Sequence, residues 1–168
     1  LLRQGGRVVA YGANAFLERG LLDLPALIAG VVSMSTISAV DLILGGSITT
    51  VSAAVAPVAA EAKTAQISIA PVGVPPDQER WVFRLPQGFT VMDFPIIEHM
   101  KKGGVKTVGF LGYTDAYGES WLKEFTAQGE KAGIKVVAAE RFARSDTSVT
   151  PQALKLAAAN PDAMLVVA

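Results

Sequence analysis

An α/β fold, with helices crossing between the strands of parallel sheets, is what this 168-residue sequence predicts. Three observations point to it. From residue 41 onward short apolar runs alternate with longer amphipathic ones, the order of strand and crossover helix. Hydrophobic residues make up 51% and aromatic ones only 7% of the chain, an ordinary globular α/β composition. The length suits one large domain or two small lobes, each able to bury some core.

The elements follow in order. Val40 to Leu44 is a buried strand candidate, succeeded by a helix from about Val51 to Lys63 and a strand from Gln66 to Ala70. Pro71 to Arg80, with three prolines and a glycine, predicts a surface loop, and Trp81 to Arg84 a short extended piece. Leu85 to Thr90, with Pro86 and Gly88, is the candidate hinge between a first lobe, residues 1–85, and a second, residues 86–168. Asp93 is placed to cap a helix with Pro95 in its first turn, and Gly103 with Gly104 to end it in a left-handed cap. Val105 to Leu111 reads as a strand. Asp115 opens the next helix, whose apolar positions Trp121, Leu122 and Phe125 keep the spacing of one buried face, and Gly133 closes it. Ile134 to Ala139 is a further strand, Thr150 and Pro151 a capped helix start, Asn160 and Pro161 its end, and Met164 to Val167 a last strand. A series that stops on an unaccompanied strand predicts a truncated domain.

Composition removes several function classes. Fifteen basic and fifteen acidic side chains cancel, so no long-range field gathers nucleic acid or anionic lipid. With no cysteine there is no disulfide, thiolate catalysis or sulfur-bound zinc, and a lone His99 cannot build a multi-histidine metal site. His99 reads as an exposed helix residue; no metal and no cofactor is expected. No secretory signal opens the chain, which does not exclude export, since mature chains have lost theirs. Leu24 to Val40 carries no charge, but Pro25, Gly30 and its hydroxyl residues favour a buried helix or irregular core segment over a membrane span.

Two stretches carry chemistry. In "LILGGSITTVSAAVAP", residues 42 to 57, an apolar run ends in Gly45 and Gly46, releases Ser47, Thr49 and Thr50, and becomes an alanine-rich helix. Glycines at the carboxyl end of a parallel strand let backbone approach a ligand, and a helix start presents unpaired N–H groups that favour an anion. A carboxylate could sit there without an arginine; equally, Thr49 or Thr50 could merely cap the helix. The glycine spacing matches neither a Walker loop nor a dinucleotide fingerprint. In "GYTDAYGESW", residues 112 to 121, Tyr113 and Tyr117 flank a strand-to-helix turn where phenol edges could reach a cleft, or could be half-buried beside an ordinary capped helix. Arg141, Arg144 and Asp146 read as a solvated surface cluster.

Taken together, "VDLILGGSITTVSAAVAPVAAEAKTAQISIAP", "WVFRLPQ", "KKGGVKTVGFLGYTDAYGESWLKEF" and "ERFARSDTSVTPQALKLAAANPDAMLVVA" resemble the substrate-binding proteins of branched-chain amino-acid-type ABC transporters, from about Ala39 to Ala168. The resemblance implies a two-lobed type I periplasmic-binding-protein fold, with parallel sheets flanked by helices and incomplete at both ends. It implies a non-enzyme that closes on a small carboxylate or amino-acid ligand outside the cytoplasm and hands it to an ABC transporter permease. It further implies that the Gly-Gly-Ser-x-Thr-Thr turn contacts the ligand carboxylate, which falls to Ser47, Thr49 and Thr50. The loop after the next strand gives Ser68, Ala70 and Pro71, and the opposing lobe gives Tyr117 and Tyr113. Two departures stand against this pattern. Amino-acid-binding members often carry a threonine where this chain has Val72, which leaves room for an aromatic or other simple organic acid. The first 38 residues lack the family's opening strand, loop and helix, and "LLRQGGRVVAYGA" has some likeness to a strand of medium-chain reductases or could stand in for the family's own Gly-Gly-x-x-Gly-Arg strand in degraded form. The rival readings are therefore a Rossmann-like reductase fragment or chimera, and a sensory ligand-binding module.

Overall fold

The computed structural model describes residues 8–11 and 41–168. The chain divides into two compact units, Leu1–Gln87 and Gly88–Ala168. The stretch Leu24 to Val40 lies outside the described residues.

The first unit is built on a four-stranded parallel sheet in the order β1 (Val8–Tyr11), β2 (Leu42–Gly45), β3 (Ala65–Ser68) and β4 (Val82–Arg84). The amino-terminal "VVAY" is thus a strand of this sheet, the outermost among the described residues, paired with β2 from Val8↔Leu42 to Tyr11↔Gly45. Helix α1 (Thr49–Glu61) connects β2 to β3 and buries Val51, Val55, Ala56 and Ala59. Ala56 packs with Val72 and Val82 in the core. The alanine-rich face of α1 suits this, because small side chains let a helix lie close on a sheet. Strand β3 ends at Ser68, two residues before the predicted Ala70. There the Ser68 hydroxyl donates to the Ala70 carbonyl at 2.7 Å and accepts from the Ala70 amide at 3.2 Å, folding the chain into a turn.

The second unit has a three-stranded parallel sheet in the order β6 (Lys135–Phe142), β5 (Thr107–Tyr113), β7 (Ala163–Val167). Helices α2 (Phe89–Lys102), α3 (Ala116–Lys131) and α4 (Thr150–Ala158) make the connections. Val108, Phe110, Leu165 and Val167 from the sheet meet Ile97, Trp121, Phe125 and Ile134 in one core. Phe110 and Phe125 are at most 1% exposed, each worth about 2–3 kcal/mol of apolar burial. The predicted α3 face holds: Trp121 and Phe125 are buried, Leu122 packs against them, and Asp115 caps the helix by accepting from the amides of Tyr117 and Gly118.

Two predicted caps are corrected. Helix α2 starts at Phe89 with Gly88 at its N-cap, so Asp93 sits inside the helix, completely buried, and Pro95 lies beyond the first turn. The cause is tertiary: Phe89, Met92, Ile96, Ile97 and Met100 recur at helical spacing and all pack on the core, extending the helix backwards past its best capping residue. Phe89 and Thr90 therefore belong to α2, leaving only residues 85–88 of the predicted hinge as connection. In α4 the N-cap is Val149, with Thr150 already helical. Among the described residues no helix is long and apolar enough to cross a membrane.

Candidate functional site

The carboxyl ends of β2 and β3 lie side by side, because the strands are parallel neighbours with Leu44 opposite Ile67. The turns leaving them, Gly45–Ile48 and Ile69–Val72, consequently share one edge of the sheet. Gly45 and Gly46 take positive φ values of 136° and 83°. A side chain at Gly46 would be strained there and would also collide with Ser52, whose Oγ lies 2.3 Å from an added Cβ.

The end of α1 at this edge has no side-chain cap. Its N-cap is Ile48, in extended conformation, and the first helical bond runs from the Ser52 amide to the Ile48 carbonyl. Neither Thr49 nor Thr50 caps the helix, so the structure answers the alternative that the sequence left open. The amides of Thr49, Thr50 and Val51 have no hydrogen-bond partner among the described residues. They are the orphan donors of a helix start, with its partial positive charge.

The predicted residues divide into two groups. Ser47 and Thr50 are half-buried and their hydroxyls have no partner among the described residues. Thr49 and Ser68 are buried and serve the protein: the Thr49 hydroxyl donates to the Pro71 carbonyl at 2.8 Å, tying the two turns together, and Ser68 closes the turn to Ala70. Ala70 is buried and Pro71 half-buried. Sequence reasoning missed the brace behind them. Ser52 Oγ, fully buried on α1, lies 2.7 Å from both the Gly46 carbonyl and Ser68 Oγ, and Ser68 Oγ lies 2.7 Å from the Ala70 carbonyl, so two hydroxyl protons serve a run of three contacts that links the two turns. Its position three residues after Thr49, on the face that α1 turns to the sheet, was the available signal. Gln66 adds a bond from its side-chain amide to the Ser52 carbonyl at 3.2 Å. Arg84 was missed as well: it donates from Nε to the Val72 carbonyl and forks onto Glu79 at 2.9 and 3.0 Å. The Arg84 guanidinium holds the Glu79 carboxyl below its usual range. Val72 itself turns into the core.

In the second unit Tyr113 ends β5. Its ring packs on Phe142 at 4.8 Å, and the Arg144 guanidinium lies over it at 3.9 Å. Tyr117, on the first turn of α3, packs on Phe89 at 6.0 Å and Trp121 at 6.3 Å and belongs to the flank of the core. The two tyrosines thus diverge from their shared turn. Arg141, Arg144 and Asp146 are exposed, as expected, but they do not pair with one another: Arg141 pairs with Glu119, Arg144 with Asp115, and Asp146 accepts from the Ala143 amide. His99 is exposed on α2. A groove of about 210 Å³ between α2 and α3 is lined by Thr90, Phe94, Lys101 and Gln128 among others, and by none of the predicted site residues.

This α/β pattern recurs in known proteins. Residues 33–168 match the periplasmic binding protein family model. The chain belongs to the periplasmic binding protein family. The family match begins a few residues ahead of the stretch whose motifs resembled it. An extracellular ligand-binding receptor from Rhodopseudomonas palustris HaA2 is 45% identical, with a TM-score of 0.80 over 88% of this chain and 42% of that one. A second extracellular ligand-binding receptor from the same strain is 34% identical, with a TM-score of 0.77 over 88% of this chain and 42% of that one. A solute-binding protein of an ABC transporter from R. palustris BisB5, in complex with 3,4-dihydroxybenzoic acid, is 24% identical with a TM-score of 0.69, over 87% and 40% of the two chains, and shows the shared fold alone. No curated protein matches the chain. The chain spans about two-fifths of the length of these solved relatives.

Proposed function

We propose that this periplasmic binding protein chain is part of an extracytoplasmic solute-binding protein that captures a small carboxylate for uptake by an ABC transporter, and that it has no catalysis of its own. One observation carries the reading. The start of α1 has no side-chain cap, and its first amides share the sheet edge with the hydroxyls of Ser47 and Thr50, none of which has a partner among the described residues. A carboxylate accepting two or three such bonds gains about 1.5–3 kcal/mol from each, and the helix start adds up to about 1.

On this reading Ser47 and Thr50 donate directly, Thr49 contributes its amide, and Ala70 and Pro71 supply the neighbouring wall. Ser68 acts from behind, as part of the brace. In the second unit, described by itself, Tyr113, whose phenol has no hydrogen-bond partner among the described residues, and Tyr117, through its ring edge, are the proposed ligand contacts. The family and the names of the relatives support an extracytoplasmic setting and a permease as partner. The resemblance to branched-chain amino-acid members supports an amino acid as ligand, and Val72 in place of a threonine supports a simple organic acid.

Isothermal titration of the full chain tests this, with leucine, 4-methylpentanoate, phenylalanine, 3-phenylpropanoate, 4-hydroxybenzoate and NADPH. At least one carboxylate is expected to bind, and the double substitution Ser47→Ala with Thr50→Ala to weaken it by about tenfold or more. Normal binding by the double variant, or binding of NADPH alone, would overturn the reading.

A further inference from the structure

The contact between α2 and α3 buries two polar groups that no neighbour satisfies. Asp93 is fully buried on α2, and among the described residues neither of its carboxylate oxygens has a hydrogen-bond partner. Trp121, which meets α2 through the Phe89 ring at 5.8 Å, buries its indole Nε1 equally unpartnered. Buried polar atoms are ordinarily bonded, and an ionised carboxylate left in this state costs far more than a neutral acid.

The surroundings supply Asp93 with no cation. From α3 the Glu124 carboxylate acts on it, with the same sign. Glu124 in turn accepts from Thr90 at 2.7 Å and Gln128 at 2.9 Å, and Lys123 and Lys131 lower Glu124 without relieving Asp93. The strands of this core contribute Val108, Phe110, Leu165 and Val167, all apolar. On α2 itself the nearest charged residue along the chain is Glu98, more than a turn away and paired with Lys101. Burial accordingly lifts the Asp93 carboxyl to about 7, and its proton leaves near neutrality.

The helical turn that precedes Asp93 is weakly held. Helix α2 starts at Phe89 without a side-chain cap, directly after the connection 85–88 with its Pro86 and Gly88. That turn is tied to α3 by the exposed bond from Thr90 to Glu124 and by the Phe89 ring, which lies against Tyr117 at 6.0 Å as well as Trp121. A helix end with so few ties opens locally at low cost, and its opening brings water to both unpartnered groups.

We infer that Asp93 makes the α2–α3 contact a proton-operated clasp: neutral Asp93 lets the first turn of α2 lie closed on α3, and the ionised carboxylate opens it, which admits water to Trp121 Nε1 and withdraws Phe89 from Tyr117. The bond between Thr90 and Glu124 is the catch that parts. The clasp stands apart from the carboxylate reading, although it lies beside Tyr117, one of the residues proposed to meet a ligand.

Fluorescence of the full chain carrying Trp81→Phe, in which Trp121 is the remaining tryptophan, tests the clasp. From pH 5.5 to 8.5 the Trp121 emission is expected to move to longer wavelength with a midpoint near 7, while far-ultraviolet circular dichroism keeps most of its amplitude. Acrylamide is expected to quench it at least about threefold more readily at the upper end of the range. In Asp93→Asn, and in Asp93→Leu should the first variant fold poorly, Trp121 is expected to stay protected throughout. Emission and quenching that do not change with pH while Asp93 is present overturn the inference. The same titration surviving in a folded Asp93 variant assigns it to another group and overturns it too. Circular dichroism lost over the same range means that the chain unfolds as a whole, and the clasp falls. If neither variant folds, the titration with Asp93 present still decides.

Discussion

Asp93 is the residue whose chemistry is least like its surroundings. It lies on the core face of α2, fully buried, with neither carboxylate oxygen hydrogen-bonded. Burial pushes its carboxyl up to about 7 from an ordinary 3.8, and the Glu124 carboxylate facing it from α3 adds to the rise. Glu124 itself is held low by hydrogen bonds from Gln128 and Thr90. Between about pH 4 and 7 the folded chain therefore keeps a proton on Asp93 that the unfolded chain has released, so stability falls as pH rises through that window and levels off above it. Asp162 has the opposite sign: amide bonds from Lys106 and Thr107 hold its carboxyl low, so its contribution is present above about 3.8 and is lost as pH falls below. Asp93→Asn is expected to flatten the decline between pH 4 and 7 and to stabilise the chain at pH 8 by on the order of 2 kcal/mol, read from melting curves across that range. An unchanged slope would show that Asp93 is ionised throughout. At this scale the sequence is legible where one side chain satisfies its own neighbours, as Asp115 does. It is opaque at Asp93, whose neighbours come from another helix, and at Ser52 and Arg84, whose partners are carbonyls 6 and 12 residues away.

Helices and strands were legible in kind and order from residue 41 onward, because apolar spacing is a property of the chain itself. The glycines that end α2 and α3 mark their positions well: Gly104 and Gly133 take φ of 77° and 76°, a region costly to other residues. Helix starts were harder, since packing on a core outweighs a cap worth about 1 kcal/mol. Gly118 shows the same competition settled by contact. It sits in the first turn of α3, where an added Cβ would lie 2.0 Å from the Tyr113 carbonyl, so α3 and β5 touch backbone to backbone. Gly118→Ala is expected to push them apart at a cost of roughly 1–3 kcal/mol, with faster amide exchange at Tyr113 and at the capped amide of Tyr117. A melting temperature equal to that of the unmodified chain would refute the contact. The site was partly legible for the same reason as the glycine caps. Gly45, Gly46 and the hydroxyl run announce a special turn, but which hydroxyls face outward depends on the neighbouring strand.

Across the whole molecule each unit has its own sheet and its own core. In the second unit β7 pairs only with β5 among the described residues; on it Leu165 and Val167 enter the core while Met164 and Val166 stand more than half exposed, with Leu154 of α4 also exposed. Such an edge has open backbone groups along one side and oily side chains on one face. Concentrated solutions of the chain are therefore expected to become turbid as strands from different molecules zip together, an ageing process that light scattering follows over hours. A lysine in place of Val166 is expected to slow it several-fold by like-charge repulsion, whereas clear solutions of the unmodified chain at millimolar concentration would mean that the open edge is harmless.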